Sequence, residues 1–576
     1  MSLVEPVYKI TPYTERIIEF KGLNKNAVVA EGELRDMKNM TSDGYPCLTQ
    51  REARGSYTMP QGVERPISMM CKYNKLALLA EKQNKELGKF AFYYDAEEIP
   101  QVRDAAYNKG IDLDENTIMV AINTKICFFP QKIYYSLIDE SVGNLDCQFD
   151  WPGALLTETG DGQEILFDYD SEKDISVFDD LEIGDAINLN CKISIQGTSI
   201  DEKPVTIGAV IQDKGFKELR PYITIPSESF LELAEEGKEE GSLADIYIDK
   251  GCPDLDYVME YNNRLWGVSN ADNTIYACKL GDPRNWQYFQ NTSLDSYYAE
   301  QGTDGEWTGL APYSGHMLFF KEKYIHKVYG TSPSTYQIAT AEARGVEEGS
   351  SKSVAIINDT VVYKSPIGIV AYDGGNPYLI SSKFGNVRFK NVVAGTDGIK
   401  YYASILKQDS DGNFTIPDFV VCDLDKGFWH KSDALRIRDF CPLKNELLFI
   451  NEKKVDYYDA NKIYIINANE VMEIEKKIKW MVEIGPFDEY IENKKVYSKL
   501  SMRLIFDEGA DADIYISVDD EEWEQIEHVE DYREKVLFVP IVPRRCNRFS
   551  IKLEGVGRCR IESLTRKYRQ SSGGML

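Results

Sequence analysis

Four histidines, His316, His326, His430 and His528, are the side chains on which acid–base or nucleophilic chemistry near neutral pH would most readily rest. A serine or cysteine hydrolase needs such a base beside its nucleophile. None of the four has a Cys, Ser or Glu partner at a catalytic spacing. His430 directly follows Trp429, the setting of a structural histidine among aromatics. A glycosidase needs two carboxylates held at a fixed separation, and although acids abound, nothing marks which two. "DSDGN" at 409–413 opens like a calcium loop, but Val420 stands where the closing bidentate Glu would be, so a solvated hairpin loop is expected. "DGGN" at 373–376 reads as a turn. The 11 cysteines form no CxxC and no zinc-like Cys/His spacing. These residues predict a chain with no metal, no cofactor and no enzymatic activity.

One cationic concentration stands out. Arg544, Arg545, Arg548, Arg558, Arg560 and Arg566, with Lys567 and Arg569, crowd the end of a chain whose 66 Lys plus Arg face 94 Asp plus Glu, a net charge of −28. An acidic surface repels nucleic-acid phosphates and anionic membranes. The six arginines are therefore read as a subunit interface meeting an acidic neighbour, ahead of DNA contact. An odd number of scattered cysteines points to thiols in a core and to folding in a reducing cytoplasm. No run of about 18 apolar residues predicts a membrane anchor, and "MSLVEPVYKITPYTERIIEF" has no signal-peptide core.

The elements that must position these residues are strands. Aromatics make up 12% of the chain, with 36 Tyr and 41 Gly, a composition of β-structure rich in turns. Residues 1–60 lack periodicity and read as an extended N-terminal arm. From 61 to 136, and again from 251 to 475, a polar turn leads into an apolar strand, a short break and a second strand ending in an aromatic. Leu265, Leu318, Val361, Tyr401 and Leu447 mark equivalent positions, spaced 53, 43, 40 and 46 residues apart. "GTDG" recurs at 302 and 395. A period of forty-odd residues is that of a β-propeller, whose blades bury their two apolar faces only by stacking on neighbours. The expected fold is all-β: a six- or seven-bladed β-propeller, interrupted at 137–250 by an inserted small β-barrel with an acidic tip. A β-sandwich follows at 476–568, where strands lengthen and alternate strictly, and then a loose tail at 569–576. Trp266, Trp286, Trp307 and Trp429 belong in the core, and the acid run 519–531 on one solvated sandwich edge.

"RLWGVSNADNTIYACKLGDPRNW" at 264–286, "LDSYYAEQGTDGEWTGLAPYSGHMLFFKEKYIHKVYG" at 294–330 and "VVYKSPIGIVAYDGGNPYLIS" at 361–381 resemble bacteriophage tail nozzle proteins, including packaged-DNA stabilisation proteins. The resemblance covers most of the chain and is weak in the insert. It implies a virion structural protein assembled in the host cytoplasm, forming a homo-oligomeric ring of the tail, commonly a hexamer. Such a ring would join a portal, an adaptor or other tail proteins. It would retain genomic DNA and conduct it through its lumen during ejection, without sequence-specific binding; a negative wall would keep DNA from adhering. Two other readings stay open: a receptor- or glycan-binding propeller at the tail tip, and a glycan-cleaving propeller enzyme.

Overall fold

The computed structural model of the protein describes residues 12–86, 88–160, 162–456, 458–468, 472–530 and 535–570. The chain is all-β and propeller-like, and seven four-stranded antiparallel sheets occur among the described residues. It divides into two compact units, 76–345 and 1–75 with 346–576.

In the unit of 76–345, four-stranded sheets are built by residues 118–144, 257–300 and 307–342. The spacing markers hold: Leu265 lies in Arg264–Ser269 and Leu318 in His316–Lys321, each the second strand of its sheet. The aromatics act as wedges. Trp266 and Val268 from one sheet pack with Trp307, Met317 and Phe319 from the next. Phe129 meets the ring of Trp286 edge-on at 6.5 Å. A fully buried side chain of this size is worth roughly 2–3 kcal/mol. A helix that the strand pattern did not predict, Pro100–Asn108, buries Val102 and Ala106.

The insert is a single seven-stranded antiparallel sheet from Cys147–Thr159 to Glu240–Lys250, where the sequence predicts a small barrel of five or six strands. It starts later than expected too, because Val142–Asn144 closes the preceding four-stranded sheet. Its core is its own, built on Trp151, Phe167, Phe178, Leu189 and Ile246. The short helix Leu231–Glu235 supplies the acidic segment.

In the other unit, sheets are built by residues 355–379, 389–431 and 437–466, with Val361, Tyr401 and Leu447 again in second strands. Gly395 sits where neighbouring sheets touch: a Cβ there would come within 2.6 Å of Phe440. Gly395→Ala is expected to cost about 1–3 kcal/mol by overpacking, read as a lower urea midpoint for this unit by Trp429 and Trp480 fluorescence.

The expectation of an extended arm at 1–60 is corrected over residues 12–60; residues 1–11 lie outside the described residues. Tyr13–Ile17 and Leu48–Gln50 pair with Cys559–Gln570, and Leu34–Lys38 pairs with Lys479–Phe487, so this segment supplies strands to both sandwich sheets. Gly55–Ser56 then completes the sheet of residues 437–466 by pairing with Lys462–Ile466. These strands are short and interrupted by Gly, Asn and Pro, so they show no period of their own; long-range pairing supplies what local pattern lacks. In the sandwich proper, Lys495–Phe506 and Cys559–Gln570 lie side by side in a seven-stranded sheet. Lys479–Phe487, Asp511–Val518 and Phe549–Val556 belong to a five-stranded one. Val482, Ile514 and Leu553 from the five-stranded sheet face Leu500, Met502 and Leu564 across one core. The strand Glu524–Glu530 forms the outer edge of the five-stranded sheet, as the acid run predicts. The tail beyond residue 570 lies outside the described residues.

Candidate functional site

The six arginines grouped by the sequence are not one patch. Arg544 pairs with Glu524 at 2.8 Å, Arg548 with Asp520 at 3.1 Å and Arg558 with Glu52 at 2.9 Å, all at exposed positions. Arg545 is exposed on the short strand Arg545–Cys546. Arg560 is exposed near Glu562, at 3.5 Å. Arg566 is the clear departure. It is 4% exposed, makes a two-pronged ion pair with Glu489 at 2.6 and 2.9 Å, and stacks over Phe487 at 4.0 Å. The cause is a bulge. Arg503 is opposite Ser563 and Leu504 opposite Ile561, so Glu562 is an extra residue. A single extra residue inverts the alternation of a strand, leaving Arg560 outside and Arg566 inside. Arg566 is a structural ion pair and is withdrawn from the interface.

Lys499 and Arg503 join the outward residues of this sheet, and the sequence grouping missed them. Their signal was present as period-2 alternation in "KLSMRLIF", with Leu500, Met502 and Leu504 turned inward.

Three of the four histidines are used as packing elements. The ring of His430 is buried and accepts the backbone N–H of Ser42 on Nε2 at 3.1 Å, which fixes the neutral form with its proton on Nδ1. Burial and the nearby Lys400 ammonium push its pKa down to about 4. His326 is buried between Thr303 and Thr340, at 3.0 and 2.9 Å, and burial also pushes it down to about 4. His316 lies against Tyr329, with ring centroids 4.6 Å apart. The exposed His528 lies between Asp513 and Glu530, whose hydrogen bonds hold it above the usual range. A histidine whose folded pKa is depressed stabilises the fold fully above its unfolded pKa, near 6.5, and loses that contribution as pH falls toward 4. His430 is therefore expected to cost its unit about 2 kcal/mol between pH 7 and pH 5. Urea titrations at the two pH values check this, and His430→Gln should flatten the difference.

The stretch 264–286 also has a definite task. The guanidinium of Arg264 donates to the carbonyls of Cys278 at 2.6 Å, Ser293 at 2.7 Å and Asp295 at 2.6 Å, fixing the loop that follows. Within that loop Trp286 Nε1 donates to Pro283 O at 2.8 Å, and Asn285 Nδ2 to Asp282 at 2.6 Å. The loop then grips the insert. Asn285 Oδ1 accepts from Ala186 N at 2.7 Å, and Arg284 reaches Asp185 and Glu182.

Asp409 binds its own loop, accepting from the backbone of Asp411 and Asn413 and from the hydroxyl of Thr415 at 2.6 Å, so 409–413 is the hairpin loop expected. Among the described residues no group of three or more His, Cys, Asp or Glu is placed to hold a metal. All 11 cysteines are free thiols and ten are buried. Burial drives Cys127 and Cys559 well above the ordinary thiol range, the opposite of what a nucleophile needs.

No protein-family model matches the chain, and no curated protein matches it. Solved structures with similar folds include an exo-β-1,3-galactanase from Phanerochaete chrysosporium, with 10% identity over 54% of this chain and 94% of that one and a TM-score of 0.22. Others are Hsv2 from Kluyvelomyces marxianus, with 10% identity over 50% and 89% and a TM-score of 0.23, and a family 43 arabinoxylan arabinofuranohydrolase from Bacillus subtilis, with 9% over 55% and 95% and a TM-score of 0.13. Because glycoside hydrolases stand among them, the expectation of a chain without enzymatic activity is corrected and dropped. TM-scores this far below 0.5 assign no reaction to this chain.

Proposed function

We propose that this protein is a ring-forming structural component of a bacteriophage tail, a nozzle or neck element that retains genomic DNA and conducts it during ejection. The observation that supports this reading most is how the aromatic repeats are used. Trp266, Trp286, Trp307 and Trp429 are all buried at 3% exposure or less. They spend their surface on joining sheets and fixing loops, which yields a stiff building block. The acidic surface suits a wall past which DNA slides. Host receptor and neighbouring tail proteins belong to the same proposal. The test is electron microscopy of purified full-length protein and of particles carrying a tagged copy. A ring with a channel wide enough for duplex DNA supports the reading; particles lacking the tag overturn it.

One observation favours a receptor- or glycan-binding role as the second reading. Phe289 and Tyr298 are 48% and 61% exposed and meet edge-on at 5.7 Å, a small aromatic platform of the kind that sugars stack on. Glycan-array binding abolished by Tyr298→Ala would favour it, and unchanged binding would remove it.

A further inference from the structure

The two outer faces of the sandwich carry opposite charge. On the seven-stranded sheet, Arg16, Lys499, Arg503, Arg560, Lys567 and Arg569 are exposed, with Glu562 the carboxylate among them. Lys499 stands directly opposite Lys567 in the register, and Thr565 opposite Arg16. Phe538, 59% exposed under the Lys499 ammonium at 3.9 Å, adds an apolar edge. On the outer half of the five-stranded sheet the register sets Asp511 opposite Glu530 and Asp513 opposite Glu554, whereas at the other end Asp36, opposite Glu483, is paired with Lys25 and Lys431, and Glu483 also stands opposite Lys552. Burial and the Asp36 carboxylate raise the pKa of Glu483. The hairpin of residues 510–530 has nine carboxylates and no Lys or Arg.

Like charges placed directly opposite on a sheet destabilise it. Here basic side chains outnumber the lone Glu562 on one face, and on its reverse carboxylates outnumber Lys552 across the strands Asp511–Val518 and Glu524–Glu530. The two faces therefore carry opposite excess charge, the complementarity that steers one surface onto another. We propose that copies of this chain associate head to tail through the sandwich, the basic outer face of one copy against the acidic outer face of the next. The contact is heterologous, so it closes into a ring when its rotation closes. The inference deepens the ring-forming reading and rests on it: it names the surfaces and the partner, a second copy.

The experiment uses the full chain and light scattering across a concentration series, at about 50 mM and about 500 mM salt. Wild type should associate, and more weakly at high salt. Lys567→Glu with Arg569→Glu should raise the concentration of half-association at least about ten-fold, and Asp513→Lys with Glu530→Lys should do the same. All four positions are outward-facing, and unchanged melting curves confirm intact folding. Mixing the two double variants should restore association that neither shows alone, because each supplies the face the other has lost. Rings that form equally well from either double variant would overturn these faces while leaving the ring-forming reading in place. A wild-type chain monomeric at every concentration would overturn both. Monomers that retard duplex DNA, and stop doing so with Lys567→Glu and Arg569→Glu, would overturn the proposal in favour of a DNA-contact face.

Discussion

Glu475→Ala should destabilise its unit by about 3–5 kcal/mol, the size expected when one partner of a buried ion pair is removed and the other left uncompensated. The Glu475 side chain is wholly shielded from solvent, and both of its oxygens are committed. The guanidinium of Arg51 donates to them at 2.7 and 3.1 Å, the backbone N–H of Arg54 at 3.1 Å, and the hydroxyl of Tyr458 donates as well. Arg54, also buried, donates to Asp433 at 2.6 Å and lies over the rings of Phe419, Phe449 and Tyr458. Two cations and two carboxylates thus tie residues 51–54 to the sheets of 389–431 and 437–466 and to the lead-in of the sandwich. Burial alone would raise the Glu475 pKa; the hydrogen bond and charge of Arg51 outweigh it and hold the carboxyl at about 2. A depressed carboxylate stabilises the fold above its unfolded pKa, near 4.5, and loses that contribution as pH falls toward 2. This window lies below that of His430. Acid should therefore weaken the unit in two steps, the first between pH 6.5 and 4. Equilibrium urea unfolding followed by Trp429 and Trp480 fluorescence checks the loss. A change below about 1 kcal/mol would mean that water reaches Arg51 in the variant and that the cluster holds little together.

How much of this was legible beforehand follows from where each constraint resides. The repeated sheets were readable because stacking forces every one of them to present the same apolar second strand; Leu265, Leu318, Val361, Tyr401 and Leu447 all fall there. Burial of the tryptophans follows from the same need. The role of residues 12–56 was not readable, because strands as short as Met40–Thr41 and Gly55–Ser56 have no period: Gly55–Ser56 exists only through Lys462–Ile466, hundreds of residues away, and Met40–Thr41 pairs with Leu48–Gln50, which in turn joins the sheet through Cys559–Gln570. The fate of Arg566 hinged on one bulge residue, Glu562, which inverts sidedness without leaving a mark in composition. The ionic cluster of Arg51, Arg54, Asp433 and Glu475 has the same character. Each residue looks like one more surface charge until the fold brings them together. The charge asymmetry of the C-terminal region was visible, but as a list of arginines. The sidedness that gives it meaning needs the register, and that register replaces Arg566 with Lys499 and Arg503 on the outward face.

Asp185→Ala should be comparably severe in the other unit, with a different signature. Asp185 is 1% exposed and serves two buried cations: it accepts from Lys250 at 3.2 Å and pairs with Arg284. It also accepts the backbone N–H of Glu182 at 2.9 Å. Burial would lower the pKa of Arg284; the Asp185 carboxylate more than offsets this and raises it. Without Asp185, Lys250 keeps the carbonyl of Asp180 at 2.6 Å but has no counter-charge, and Arg284 keeps the half-exposed Glu182. The expected loss is about 3–5 kcal/mol, and it is local. The insert owns a separate core around Trp151, Phe178 and Ile246, built of apolar side chains among which the Asp185 carboxylate has no part. What fails is its attachment to the loop of 279–296, where Ala186 N meets Asn285 and Lys279 reaches Gly184 O at 3.3 Å. Hydrogen exchange should then rise at 182–188 and 279–296 while strand Cys147–Thr159 and residues 189–194 stay protected, and limited proteolysis should open the chain near 145 and 251. If instead the whole insert loses protection together, its core depends on the grip of the loop, and it is not a separable fold carried between two sheets. Asp185→Asn separates charge from shape: it can still accept from Glu182 N, so most of the loss should persist if neutralising Lys250 and Arg284 is the main task of this residue. A mild Asn variant beside a severe Ala variant would assign the effect to hydrogen bonding and packing, and the buried cations would then be carried by their carbonyl partners, as Arg264 already is by the carbonyls of Cys278, Ser293 and Asp295.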